Sequence, residues 1–139
     1  MSIYKPKLVL SGSASLQSRI AYWKQHYEAK GYDVIAYPES WDDTKDFTQQ
    51  LTELYSDFYR AIDECDVFFL MNEDKNGIEG YIGANGTAEL IHAVMLNVVH
   101  SKNITIYIAK VPSREVLAHD EVTSFLRTGW IQLYDPITP

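Results

Sequence analysis

The chain of 139 residues is long enough to enclose a hydrophobic core and fits a single domain spanning 1–139. With 46% apolar and 22% charged residues it has the composition of a folded globular protein, and its net charge of -7 argues against nucleic acid or an anionic membrane as the main partner, since both are held by basic surface. Cys65 is the only cysteine, which leaves no internal disulfide; the start Met1-Ser2-Ile3-Tyr4-Lys5-Pro6-Lys7 lacks the pattern of a signal peptide and no apolar run reaches membrane-spanning length, so a cytoplasmic location is expected.

Leu8-Val9-Leu10 reads as a buried strand running into the small-residue loop Ser11-Gly12-Ser13-Ala14-Ser15. Leu16, Ile20, Trp23 and Tyr27 then recur at helical spacing until Gly31, and Val34-Ile35-Ala36-Tyr37, closed by Pro38, is a second strand placed for a parallel crossover. The stretch from Pro38 to Asp46 is turn-like, with Trp41 expected to be exposed. A second helix follows, capped by Thr44 or Asp46, with Phe47, Leu51, Leu54, Tyr55, Phe58 and Ile62 on one apolar face.

Val67-Phe68-Phe69-Leu70-Met71 is apolar at every position, as in a central strand covered on both faces, and Cys65 just before it is expected to be a buried, inert thiol. Asn72 to Gly86 is the longest loop. It holds an Asn76-Gly77 turn signal and the apolar residues Ile78, Tyr81 and Ile82, which points to a functional loop or a subunit contact. A helix expected from Thr87 to His100, a strand over Ile104–Ile108, a weaker helical stretch from Pro112 to Arg127 ended by Gly129, and an edge strand within Trp130–Leu133 complete the chain. Strands alternating with helices define an α/β three-layer sandwich with a five-stranded parallel sheet, flavodoxin- or Rossmann-like, in the order 2-1-3-4-5. Ligands of such sheets bind where the strand order reverses, here between strands 1 and 3, where the loops Ser11–Ser15 and Asn72–Gly86 meet.

Gly83-Ala84-Asn85-Gly86-Thr87-Ala88-Glu89 reads as a glycine-rich turn opening into a helix, with Gly83 and Gly86 free to take backbone angles closed to other residues and Glu89 in the first helical turn. There the helix dipole would hold Glu89 ionised, suited to be a nucleophile, a base or a hydroxyl acceptor and poorly suited to be a general acid. The same spacing also describes an ordinary capped helix start. Ser11–Ser15 is a plausible phosphate cradle without a Walker or dinucleotide fingerprint, and Arg19, one turn further, either neutralises a phosphate or is a solvated helix charge. Glu89-Leu90-Ile91-His92 is a single Glu-x-x-His unit where carboxylate-bridged metal sites need two, and His26, His92, His100 and His119 have no ligand spacing, so neither metal nor cofactor is expected.

Leu8-Val9-Leu10-Ser11-Gly12-Ser13, Asp66-Val67-Phe68-Phe69-Leu70 and Gly83-Ala84-Asn85-Gly86-Thr87-Ala88-Glu89-Leu90-Ile91-His92-Ala93 together resemble the nucleoside 2-deoxyribosyltransferase family, which also contains nucleotide N-glycosidases. The likeness runs from Leu8 to about Pro112 and is greatest to a branch with a longer loop of the type Asp74–Gly83. It implies that Glu89 attacks the anomeric carbon of the sugar, that the loop of Gly12 and Ser13 receives a 5′-phosphate, and that subunits assemble as dimers or larger with shared pockets. Where the family carries a tyrosine late in strand 1, this chain has Val9. Where it carries an aspartate near the nucleobase, this chain has Phe58, with Asp57 one residue away, which is about 100° around a helix.

The expected function is cleavage or transfer of the N-glycosidic bond of a nucleoside or nucleoside 5′-monophosphate. Glu89 and Asp57 are the candidate catalytic residues, and Ser11, Gly12, Ser13, Arg19, Gly83, Asn85, Gly86 and Thr87 the candidate substrate contacts. The alternatives are a nucleotide-binding protein without turnover and a structural oligomer whose long loop only builds an interface.

Overall fold

The computed structural model describes residues 3–136; Met1 and Ser2 of the amino-terminal stretch, and the ends of the expected 1–139 domain, lie outside them. Five strands, β1 (Lys7–Gly12), β2 (Asp33–Ala36), β3 (Val67–Met71), β4 (Thr105–Ile108) and β5 (Gln132–Leu133), pair in parallel in the order β2-β1-β3-β4-β5. The helices α1 (Gln17–Ala29), α2 (Phe47–Glu64), α3 (Ala84–His100) and α4 (His119–Thr128) cover the two faces. This is the expected α/β sandwich, and its strand order is the expected one.

Alternation along β1 divides the core. Leu8 and Leu10 point to one face, where Ile20, Trp23 and Tyr27 of α1 meet Phe69 and Met71, while Val9 points to the other, among Phe68, Leu70, Ile62 of α2, Leu90 and Val94 of α3 and Val122 of α4. Covered on both sides, β3 is buried at every residue. The α1 face holds a single helix, and beyond it the rings of Tyr27, Phe69, Tyr107 and Trp23 gather around Tyr134, which follows β5.

Local chemistry sets the helix ends. Asp46 caps α2 by accepting from the Gln49 amide at 2.9 Å, and Gly31 and Gly129, at φ of +92° and +80°, end α1 and α4 in the left-handed region. Two boundaries depart from the sequence reading. Residues 113–118 form turns rather than helix, so α4 starts only at His119. More consequentially, α3 starts at Ala84 instead of Thr87, with Gly83 as its extended first flank (φ -83°, ψ -179°). Gly83 and Gly86 therefore need no unusual backbone angle, and a Cβ on Gly86 would meet Ile82 at 3.4 Å and Leu70 at 3.5 Å in ordinary van der Waals contact.

The long loop after β3 is tied down from inside. Asn72 is buried; its Oδ1 accepts from the amides of Ala109 and Lys110, and its Nδ2 donates to the carbonyls of Lys110 and Gly80, which joins the ends of β3 and β4 to the loop. Lys75 and Ile78 exchange both backbone hydrogen bonds across Asn76 and Gly77, whose φ values of +52° and +76° make a tight I′-like hairpin. Ile78 packs on the core, partly buried, and Ile82 is buried within it, so both residues serve the chain's own interior. Helix α2 carries part of the exposed apolar surface: only its Ala61 and Ile62 are buried, while Phe47, Leu54 and Tyr55 stay exposed, Phe47 with Trp41 at its side.

Candidate active site

An open cleft of about 880 Å³ lies at the carboxyl ends of β1, β2 and β3, where the strand order reverses. The loop after β1 contributes Gly12 and Ser13, the outer half of α2 contributes Glu53, Asp57 and Phe58, and the start of α3 contributes Gly83, Asn85, Gly86 and Glu89. The last turn of the β3 loop closes it with Tyr81 and Ile82, and Lys75 reaches in from the hairpin.

Glu89 sits half-buried in this cleft, and Ser11 Oγ donates to its Oε1 at 2.6 Å. Strand pleating explains the pair. Ser11 is two residues beyond Val9 on the same side of β1, so the face that buries Val9 against α3 also aims the Ser11 hydroxyl at that helix. Ser11 is thus fully buried and positions the carboxylate instead of lining the cleft. Oε2 of Glu89 has no hydrogen-bond partner among the described residues.

With α3 starting at Ala84, Glu89 is the sixth residue of the helix, beyond the first turn in which the dipole acts strongly. Burial dominates and pushes its carboxyl up to about 7, with the Ser11 hydrogen bond pulling the other way. This corrects the expectation of a carboxylate held firmly as an anion: near neutrality Glu89 is divided between acid and base and can serve as either. It corrects the capping reading too, since α3 has no side-chain cap. The neighbouring Tyr59 phenol is pushed up by its burial and then by the Glu89 charge. Replacing Ser11 with Ala removes the interaction that favours the charged form, so the Glu89 titration should move to higher pH; a carboxyl-carbon NMR titration of both proteins reads this, and an unmoved midpoint would show that the hydrogen bond does not hold the carboxylate.

Other expected contacts divide. Gly12, Ser13, Gly83, Asn85 and Gly86 line the cleft, and Asn85 is steadied by Tyr55, whose hydroxyl donates to its Oδ1 at 2.9 Å. A Cβ on Gly12 would come within 3.2 Å of the Met71 carbonyl and 3.1 Å of its Cε, so a larger residue would crowd Met71 and require it to shift by a few tenths of an ångström. Thr87 lies outside the lining: its Oγ1 turns back to the Gly83 carbonyl at 2.9 Å. Arg19 is outside as well, held by a two-point pair with Glu73, with Nη2 to Oε1 at 2.8 Å. Asp57 is exposed on the α2 wall, and Phe58 beside it lines the cleft while resting on the core.

The cation missed in the sequence is Lys75, whose Nζ donates to Ser13 Oγ at 2.8 Å. Asn76-Gly77 was the signal for it, because a two-residue turn fixes the residues on either side. Glu39, Asp42 and Glu53 add further carboxylates to the side of the cleft near β2 and α2, and Gln50 pairs through its amide with the Asp42 backbone, fastening that loop to α2. Among the described residues no group of three or more His, Cys, Asp or Glu side chains is placed to hold a metal ion. Cys65 is buried, which pushes its thiol up to about 12 and keeps it unreactive. A scan against protein-family models and a search of characterised proteins both returned no match to this chain.

Proposed function

We propose that the protein cleaves or transfers the N-glycosidic bond of a nucleoside or nucleoside 5′-monophosphate, with Glu89 as nucleophile. The observation that carries this reading is a half-buried carboxylate at the strand-order reversal, with one oxygen held by Ser11 and the other unpartnered in a cleft large enough for a nucleotide. The resemblance of the β1 and α3 segments to the deoxyribosyltransferases supports it independently.

In the first step Oε2 attacks the anomeric carbon; the carbon–nitrogen bond breaks, and its electron pair leaves with the base, which takes a proton from solvent or from a group on the Asp57 wall. In the second step water or an incoming base attacks the same carbon, and the glycosyl–Glu89 bond breaks to restore the carboxylate. The Ser11 hydrogen bond stabilises that returning charge. Incubation with a panel of nucleosides and their 5′-monophosphates, followed by chromatography for free base, tests the proposal.

A second reading is nucleotide binding without turnover. The near-neutral Glu89 favours it, because a carboxyl that both donates and accepts suits sugar hydroxyls; binding without base release would establish it. Under either reading the ligand is a small molecule. We further propose a cytoplasmic homodimer or larger assembly; no helix among the described residues is long and apolar enough to cross a membrane. The exposed Phe47, Leu54 and Tyr55 on α2, next to Trp41, support the assembly. Light scattering at micromolar concentration should give at least twice the 15.9 kDa chain mass, and a monomer mass would overturn it.

A further inference from the structure

Two lysines line the cleft, and their surroundings differ. Lys45 stands near Asp42, whose carboxyl is lowered first by the Thr44 hydrogen bonds and then, more weakly, by the Lys45 charge. Lys75 has no carboxylate partner among the described residues: its Nζ donates to Ser13 Oγ at 2.8 Å and lies 5.1 Å from the centre of the Tyr81 ring. The acidic residues that precede it are already engaged, Glu73 with Arg19 and Asp74 with both Lys110 and the Gly80 amide. In a chain with 19 acidic and 12 basic residues, a cation left to a serine hydroxyl inside a cleft is a charge awaiting an anion.

Lys75 is also held in place beforehand. The Asn76-Gly77 turn fixes its backbone, Asp74 and Asn72 tie the surrounding loop to Gly80 and Lys110, and Gly80, at φ +64°, packs so closely that a Cβ would stand 2.8 Å from Pro112 Cα. A cation on so braced a loop loses little freedom when it binds. Ser13 Oγ, which it touches, is in turn 2.9 Å from Ser15 Oγ, so a charge and two hydroxyls meet at the mouth of the β1 loop.

We propose that Lys75 and Ser13 bind the terminal phosphate of the ligand, and that Lys75 is the residue that selects a nucleoside 5′-monophosphate over the free nucleoside. The sugar and base in this statement rest on the function proposed above, and a phosphate at the Ser13 loop is what the resemblance implies; the selecting role of Lys75 rests on its own contacts in the cleft. One phosphate matches one cation without a carboxylate partner; a longer polyphosphate would add charge to a cleft that Glu53 and Asp57 also line.

Calorimetric titration of wild type, Lys75→Met and Lys75→Arg with a nucleoside 5′-monophosphate, the matching nucleoside and ribose 5-phosphate tests this. Wild type should bind the monophosphate about tenfold or more tighter than the nucleoside, as one charge-assisted contact permits. Lys75→Met should erase that preference while leaving nucleoside affinity unchanged and abolish ribose 5-phosphate binding, and Lys75→Arg should retain most of it. Should Lys75→Met fail to fold, added salt should shrink the wild-type preference in the same way. Equal affinity of wild type for the pair, equal weakening of both by Lys75→Met, or no binding of any phosphate compound would overturn the proposal. Because binding is read, absence of base release from every compound would defeat the glycosidase reading and leave this one standing.

Discussion

Glu89→Gln should abolish base release, by about a thousandfold or more, while the affinity for nucleoside or nucleotide changes little, because the amide keeps the shape and the Ser11 hydrogen bond but has no anion to attack with. Base release by wild type has a pH dependence with a defined sign. The attacking form is the anion, and the free carboxyl titrates near 7, so kcat/KM should rise about tenfold per pH unit below 7 and flatten above it. A general acid would give the opposite slope. Steady-state assays from pH 5 to pH 9 on wild type and Glu89→Gln separate these outcomes, and a variant retaining a tenth of wild-type activity would remove Glu89 from the chemistry.

The same substitution should stabilise the protein above neutrality. Glu89 binds its proton more tightly in the folded state, about 7 against an ordinary 4.5, so below pH 4.5 it is protonated whether or not the chain is folded and contributes nothing. As pH rises from 4.5 to 7 the unfolded chain ionises while the folded one resists, and stability falls; above 7 the full cost remains. After allowance for its partial contact with water, that cost is roughly 2 kcal/mol, a sizeable share of a small domain's stability. Urea denaturation should therefore find Glu89→Gln more stable than wild type by that order at pH 8 and equal to it at pH 4. Equal stability at both values would mean that burial does not strain this carboxyl. A destabilised site held for its chemistry is a common arrangement in enzymes.

What could be read from the sequence follows from how local each feature is. Val67–Met71 announces a central strand because five apolar residues in a row need cover on both sides, and the alternation of strands with helices leaves few sheet orders. The start of α3 reads three residues late in the sequence because Gly83, Asn85 and Gly86 are weak helix formers, although Asn85 and Gly86 lie within the helix. That shift of three residues carried Glu89 out of the first turn, and burial from distant elements, invisible in a local window, then reversed the expected charge state. Arg19 and Lys75 exchange roles for the same reason. The partner of Arg19 is 54 residues away and that of Lys75 is 62, so neither pairing shows in the order of residues. Ser11 reads in the sequence as a loop hydroxyl, but its task depends on facing the side of β1 that α3 covers.

The nucleophile assignment is tested most directly by intact-protein and peptide mass spectrometry after incubation with a 2-fluoro-sugar analogue of whichever nucleoside or monophosphate releases base. Fluorine next to the reacting carbon slows the second step more than it spares the first, so the glycosyl–enzyme should accumulate. The expected result is a mass increase of one fluorosugar or fluorosugar phosphate on the peptide containing Glu89, absent from Glu89→Gln; an unmodified Glu89 in protein that turns over the parent compound would contradict it.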